Sequence, residues 1–561
     1  MLEYHSLNEK DFFKSLDYSF SDIVVFNATS RKLFHNLDHL SFGLSDGSYD
    51  SGNLIFTHND PNDLYGTENE MNTFFLRLKT PDFPFHVYAE ARSIEKEGLV
   101  QQRFLTGYFT TPLTKFSESR EIDWKTREAK VGANSHLGPV EVDFSHTEKR
   151  FEALGEKVLY DSYPAAAGRA LDTYPHNLVP DLESSSDTVK IHTSHTGRIV
   201  AAGTYTTGEK ENRDSGARAD YWNAAGDLTI TPVKNLAIFF KYRHYDLTAE
   251  NPDTVTITGL NPVNTYTYNV RDSISSQKDI MTGTIRYRTT DRLTLKGDYS
   301  VEKIQREVGT AWEVAPETTK STTKLGATYR VMRKLTAKAE YSHTEIDDPA
   351  YNFDPDKSDT AKVSFTWTPT QTISALVSYS GVREKREDME WEGTSPVVGG
   401  ERETSRDQAL GSVTVLVGKR SSVTTTYAYF RNQVDDTISY HDGTGAVVLE
   451  PGLVPYDDVA HVGSILLTHA LTDAITITAE ASRSYSRGSF RNSGAVPDTT
   501  GIAEFSDLKV VEDICAAGVE IAFAKDIGTE FRYQYREYND KVDSSNDGTT
   551  QIVLATMSVK W

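Results

Sequence analysis

The 561-residue sequence holds a single cysteine, Cys515, and six methionines. A lone thiol excludes disulfides, zinc knuckles and thiol-ligated iron–sulfur clusters within one chain. There is no CxxCH, so covalent haem attachment to this chain is excluded as well. Cys515, in "EDICAAGVE", reads as a small apolar strand residue. No run of 18 apolar residues occurs, and no membrane-spanning helix is readable. The opening "MLEYHSLNEKDFFKSL" lacks the apolar stretch of a secretory leader, so the signal peptide an exported chain needs is absent from this numbering. Arg and Lys form no concentrated stripe, and the formal charge is −22, which argues against nucleic acid as a partner. No linker or compositional break divides the chain.

What is present is alternation. In "TTQIVLATMSVKW", Val553, Ala555, Met557, Val559 and Trp561 share one parity, while Thr556, Ser558 and Lys560 take the other. Period two is the repeat of a strand with one apolar face. The same pattern, folded into hairpins, recurs at "GTIRYRTTDRLTLKGDYS", "KLGATYRVMRKLTAKAEYS", "KVSFTWTPTQTISALVSYS" and four further places, with turns near positions 232, 290, 332, 369, 419, 471 and 526. Three amino-terminal hairpins turn at "TPDFPF", at "HLGP" and near Thr196 and Gly197. The connections are short at one end of the hairpins. At the other end they are long and polar, as in "TEIDDPAYNFDPDKSD" and "GVREKREDMEWEGTSPVVGGERETSRDQ".

One-sided loop asymmetry with one apolar face per strand is the layout of an all-β, antiparallel transmembrane barrel, with short periplasmic turns and long extracellular loops. A soluble propeller or sandwich explains neither the asymmetry nor the tyrosines at strand ends, such as Tyr287, Tyr299, Tyr341 and Tyr379, which suit an interfacial girdle. Ten turns give about twenty strands. Residues 1–60 supply the first strands, and residues 61–561 form the barrel body, closing with strand 551–561. The expectation is about 26 strands, within roughly 22–28. Such a barrel lies in a bacterial outer membrane, in contact with its lipid.

Candidate chemistry is sparse, and no catalytic, cofactor or metal site is assigned. His35, Asp38 and His39 lack any metal motif, and His192 and His195 face opposite sides of an extended chain. "SHTEKR" and "YSHTE" carry Ser, His and Glu side by side, which is not the geometry of a catalytic triad, and no G-x-S-x-G elbow occurs. The chain is expected not to be an enzyme. In "ARSIEKEGLVQQRF", Arg92, Glu95, Lys96, Glu97 and Arg103 crowd a short stretch and are candidate lumen or partner contacts.

The chain resembles the MtrB/PioB family of outer-membrane barrels. The resemblance rests on "FHVYAEARSIEKEGLVQQRFLTGYF", on the hairpins "YRTTDRLTLKGDY" and "YRVMRKLTAKAEY", on the terminal "VLATMSVKW" and on the overall layout. It implies a haem-free sheath of a porin–cytochrome complex. The sheath would enclose a multihaem c-type cytochrome, whose haem c carries electrons to an outer-surface multihaem cytochrome in extracellular electron transfer. The alternative is a large porin or transporter blocked by its own loops. A TonB-dependent transporter is less suited, because it expects 22 strands and a plug of about 130 residues. In any of these the parity of Val553, Ala555, Met557, Val559 and Trp561 would serve barrel closure and assembly.

Overall fold

The computed structural model describes residues 2–37, 54–58, 60, 62–80, 84–106, 113–166, 168–193, 197–308, 312, 314–391, 397–441, 444–449, 452–490, 506–524 and 527–559. Among these residues, twenty-four antiparallel strands follow one another around a barrel wall. All ten hairpins read from the periodicity are there. A further hairpin, Asp11–Phe20 with Val24–Asn36, precedes them. The strands Leu2–Asn8 and Gly548–Val559 come together at the seam. Both ends of the chain therefore reach the short-turn side. The count is two below the expected 26. Residues 1–60 contribute three wall strands, and the fourth strand there, Leu54–His58, instead runs parallel to Leu113–Ser117.

Two registers divide every wall strand. Leu335, Ala337, Ala339 and Tyr341 stand opposite Trp367, Phe365, Val363 and Ala361. Thr336, Lys338 and Glu340 stand opposite Thr366, Ser364 and Lys362. The polar register lines a concave region of about 1,070 Å³ inside the wall, so the apolar register faces out. Its side chains have no protein to cover them: Leu325 is 60% exposed, Met557 56% and Val553 69%. Lipid is what covers such a surface. The outward apolar stretch runs about seven residues, from Leu335 to Tyr341 or from Ile373 to Tyr379, roughly 20–25 Å at the strand rise.

Above that stretch the outward register carries a ring of tyrosines tied to acids and bases on neighbouring strands. Tyr242 and His244 share Asp279 at 2.6 and 2.8 Å. Tyr379 and Arg383 share Asp407 at 2.6 and 2.9 Å. Tyr341 and His343 share Asp359, and His146 meets Asp187 at 2.9 Å. The two Ser-His-Thr-Glu strings are thus pieces of an interfacial girdle, where Tyr and His bury a ring and keep a polar tip wet.

Beyond the girdle the strands continue. Phe85–Thr106 pairs with 114–135 of the strand Leu113–Leu137 in unbroken register over 22 residues. The charged segment 381–408, expected as loop, is mostly strand: Ile373–Glu387 and Glu401–Val417 leave only 388–400 between them. Cross-strand pairs hold this projecting ladder, among them Arg406–Glu384 at 2.6 Å and Lys385–Glu401 at 3.2 Å. Opposite charges facing each other across a pair contribute a few tenths to about 1 kcal/mol each.

The two registers predict opposite tolerance. Ala327→Arg places a cation on the lipid face and is expected to cost about 2–4 kcal/mol near the bilayer midplane. Thr328→Arg, one residue on, faces the lumen and is expected to cost little. Urea unfolding from lipid vesicles measures both, and equal losses would overturn the facing.

Candidate functional site

The lumen wall and the structure at its loop-side mouth are the places where polar side chains converge. On the long strands, Tyr88, Arg92, Lys96, Trp124 and Lys130 share the lumen-facing register. Higher on the same face are Phe104, Glu118, Arg120 and Ile122. Two short hairpins from the loops pack here. One is Leu159–Tyr163 with Asp172–His176, and the other is Thr254–Thr258 with Thr265–Asn269.

Arg120 anchors the first hairpin. Its guanidinium is buried and donates to the Glu156 carbonyl at 2.9 and 3.1 Å and to the Lys157 carbonyl at 3.0 Å. Lys157 then reaches Asp181 at 2.9 Å and Asp214 at 2.8 Å. Those two acids raise the Lys157 pKa, and the Ala153 amide with Lys157 lowers that of Asp181. The His176 ring lies 4.4 Å from that of Phe104. Asp172 joins the hairpins by accepting from the Asn264 side-chain amide at 3.0 Å, and the Tyr266 hydroxyl accepts the Ala170 amide at 2.8 Å. Tyr174, Leu159 and Ile122 are almost fully buried within this cap. A second cap joins the residues next to strand ends Glu387, Glu401 and Val454, where Met389 and Val454 are buried and Thr437 packs at Gly400.

Glu118, Asp161 and His176 bring one ligand atom each within 4.8 Å of one another. His176 Nε2 bonds Asp161 at 2.7 Å, while its Nδ1 is buried without a hydrogen-bond partner. Burial, then the charges of Asp161, Glu156 and Asp60, push the Glu118 carboxyl up to about 7, with Arg120 opposing. This group is 43 and 15 residues apart in sequence and belongs to no motif; only the folding of the loop onto the wall assembles it. Glu118 sits well above the apolar stretch of its strand, where Ala129, Val131 and Ala133 face out.

The sequence-derived candidates are split by the wall. Arg92 and Lys96 face the lumen side, and Lys96 lies 5.3 Å over the Trp124 ring. Glu95, Glu97 and Arg103 take the opposite register and are not lumen contacts. Glu95 instead pairs with Lys125 on the outer face. The cause is plain alternation: Glu95, Lys96 and Glu97 are consecutive in a strand and cannot share a face, and Arg92 and Arg103 differ in parity. His192 pairs with Glu141 at 3.1 Å, His35 lies in the wall opposite Thr67, and Asp38, His39 and His195 lie outside the described residues. In the closing strand, Val553, Ala555 and Met557 face out opposite Tyr533, Phe531 and Thr529. Val559 stands opposite Ile527, and Trp561 lies outside the described residues.

No family model matches the chain, and no curated protein does. Solved structures do. The FrpB iron transporter from Neisseria meningitidis matches in its F3-3 variant with TM-score 0.52 and 8% identity, over 88% of this chain and 79% of that one. The F5-1 variant matches with TM-score 0.51 and 9% identity, over 89% and 82%. The likeness is one of fold: a large multi-pass β-barrel of the outer membrane. These findings overturn the reading as an MtrB/PioB sheath. The barrels this chain matches are iron transporters, and neither a lumenal nor an outer-surface multihaem cytochrome finds support as its partner.

The raised Glu118 pKa gives the cap a pH dependence. The folded chain keeps this proton to higher pH than the unfolded chain, whose carboxyl titrates near 4.5. Between about 4.5 and about 7 the folded state binds more protons, so cap stability falls as pH rises through that window. Hydrogen exchange of the 159–163 and 172–176 amides, corrected for intrinsic rate, is expected to be faster at pH 8 than at pH 5. Glu118→Gln is expected to remove the difference.

Proposed function

We propose that this chain is an outer-membrane transporter whose passage is closed by its own loops. The observation that carries the proposal is the position of the loop hairpins. The 159–163/172–176 hairpin packs on the face of the projecting wall that is continuous with the lumen, through Arg120 and Phe104, and the 254–258/265–269 hairpin is joined to it through Asp172. Twenty-four strands enclose a lumen roughly 45–50 Å across between backbones, from strand spacing and tilt. A hole of that width open at both ends would leak. Packing hairpins inward from the loops answers this need with the chain itself. The match in fold to iron transporters supports the same reading, since those barrels move a solute.

The polar network of the caps suits a closure that opens. Its contacts are ion pairs and hydrogen bonds with modest apolar burial, the composition of elements that open below the global unfolding energy. The test is electrical. The full chain in a planar bilayer is expected to show low or intermittent conductance. Replacing residues 158–177 by a short Gly-Ser bridge is expected to give a steady and larger one. Equal conductance in the two would sink the closure, and silence in both would sink the passage.

A further inference from the structure

The lumen wall formed by strands Leu236–Glu250 to Glu401–Val417 has a charge opposite to that of the chain. The sequence carries 81 acids against 59 Lys and Arg. Yet the concave region of about 1,070 Å³ on this wall is lined by Lys241, Arg286, Lys296, Lys338 and Lys362, with Glu340 as its one carboxylate. Lys296 pairs with Asp298 at 2.8 Å. Among the described residues, Lys241, Arg286, Lys338 and Lys362 have no ion-pair partner. Arg286 stands directly opposite Lys296, and like charges facing across a strand pair are destabilising.

A second lumen hollow shows that this is not the habit of the whole wall. It lies around Tyr88, and there three cations, Arg77, Lys130 and Lys190, stand with three carboxylates, Glu90, Glu141 and Asp143. Lys130 meets Glu90 at 3.3 Å, His192 meets Glu141 at 3.1 Å, and Tyr88 donates to Asp143 at 3.0 Å. Charges across a lumen of this width lie several Debye lengths away, and the nearby acids, Asp227 across from Lys241, Asp298 beside Lys296 and Glu340 across from Lys362, are fewer than the five cations and leave the wall net positive. Between the cations stand hydroxyls: Thr284, Thr294, Thr328, Ser364, Ser378 and Ser380. Ammonium groups interleaved with rotatable O–H donors match the oxygens of phosphate and carboxylate groups. The volume is at the upper end of the range for small-molecule sites.

We propose that this wall is an anion-binding face, and that the passage takes a small multivalent anion bearing phosphate or carboxylate groups. The choice of solute rests on the transporter reading above, while binding at the wall does not. The probe is inorganic pyrophosphate, titrated calorimetrically into the full chain in lipid nanodiscs at about 0.15 M salt, where weak non-specific attraction is screened. The native chain is expected to bind it saturably. Lys241→Gln, Lys338→Gln and Lys362→Gln together are expected to weaken binding at least about tenfold, because charge-assisted contacts supply the affinity. The same three positions changed to Arg are expected to retain it, which separates charge from folding. Lys190→Gln, on the matched hollow, is expected to change nothing. Absence of saturable binding by the native chain, or equal affinity in the triple Gln variant, overturns the anion face. The loop-shortened variant, recorded in a bilayer, separates the two readings. Steady conductance with no pyrophosphate binding refutes the anion face and leaves the passage. Lysine-dependent binding with no conductance leaves the face and refutes the passage.

Discussion

The structure depends on one constraint: inside hydrocarbon there is no water to satisfy a backbone N–H or C=O. Each unsatisfied group there costs several kcal/mol, so a β-structure must close on itself. Closure makes every wall strand a central one and leaves the side chains only two destinations. From this follow the strict alternation and, with every neighbour antiparallel, the even strand number and the return of both ends to one side. It also follows that the wall has no core. A sheet one residue thick presents Leu325 to lipid and Lys324 to the lumen, and a slip of one residue would exchange every such pair.

Among the described residues, large apolar side chains are therefore buried where the chain leaves the membrane. Tyr174, Leu159, Ile122 and Met389 are buried in the loop-side caps. There, loops and projecting strands meet in water and must exclude it from one another. The caps and the wall are thus stabilised differently. Lipid and the ladder support the wall, and small polar-rimmed cores support the caps. Met389 and Tyr174 have no counterpart in the membrane section because there is nothing there to pack against.

The same division explains what the sequence disclosed. Period two is written locally, so all ten hairpins could be read from the chain alone, including the weak one around Thr196 and Gly197. The charged segments were misread as loops because a strand outside the membrane has no apolar face. Arg383, Glu384 and Lys385 alternate only between two kinds of charge, and their order becomes visible only with Asp407, Arg406 and Glu401 across the ladder. The tyrosines were legible as a girdle, but their shared aspartates were not, since Asp279, Asp359 and Asp407 come from the neighbouring strand each time. For the same reason Glu118, Asp161 and His176 could not be grouped. Lys241 to Lys362 read singly as ordinary polar-face residues across four hairpins, and become one surface only when the strands are laid side by side.

Width and closure are linked by the same geometry. Each added hairpin widens the lumen and lengthens the loop-side rim together, so a barrel large enough to leak also carries more loop with which to cover itself. The covering has to be held without becoming permanent. A buried apolar lid would be stable but slow to leave; a purely solvated loop would not close at all. The cap lies between these limits. Arg120 binds two carbonyls rather than a carboxylate, so the hairpin is fixed through its backbone by hydrogen bonds that water can replace. Glu118, unmatched among Asp161, Glu156 and Asp60, sets a repulsion against that hold. An acid-rich cap above a basic wall also orders the path by charge: an anion would be repelled at the closed mouth and held below it, so opening of the cap, and not affinity for the rim, would govern entry.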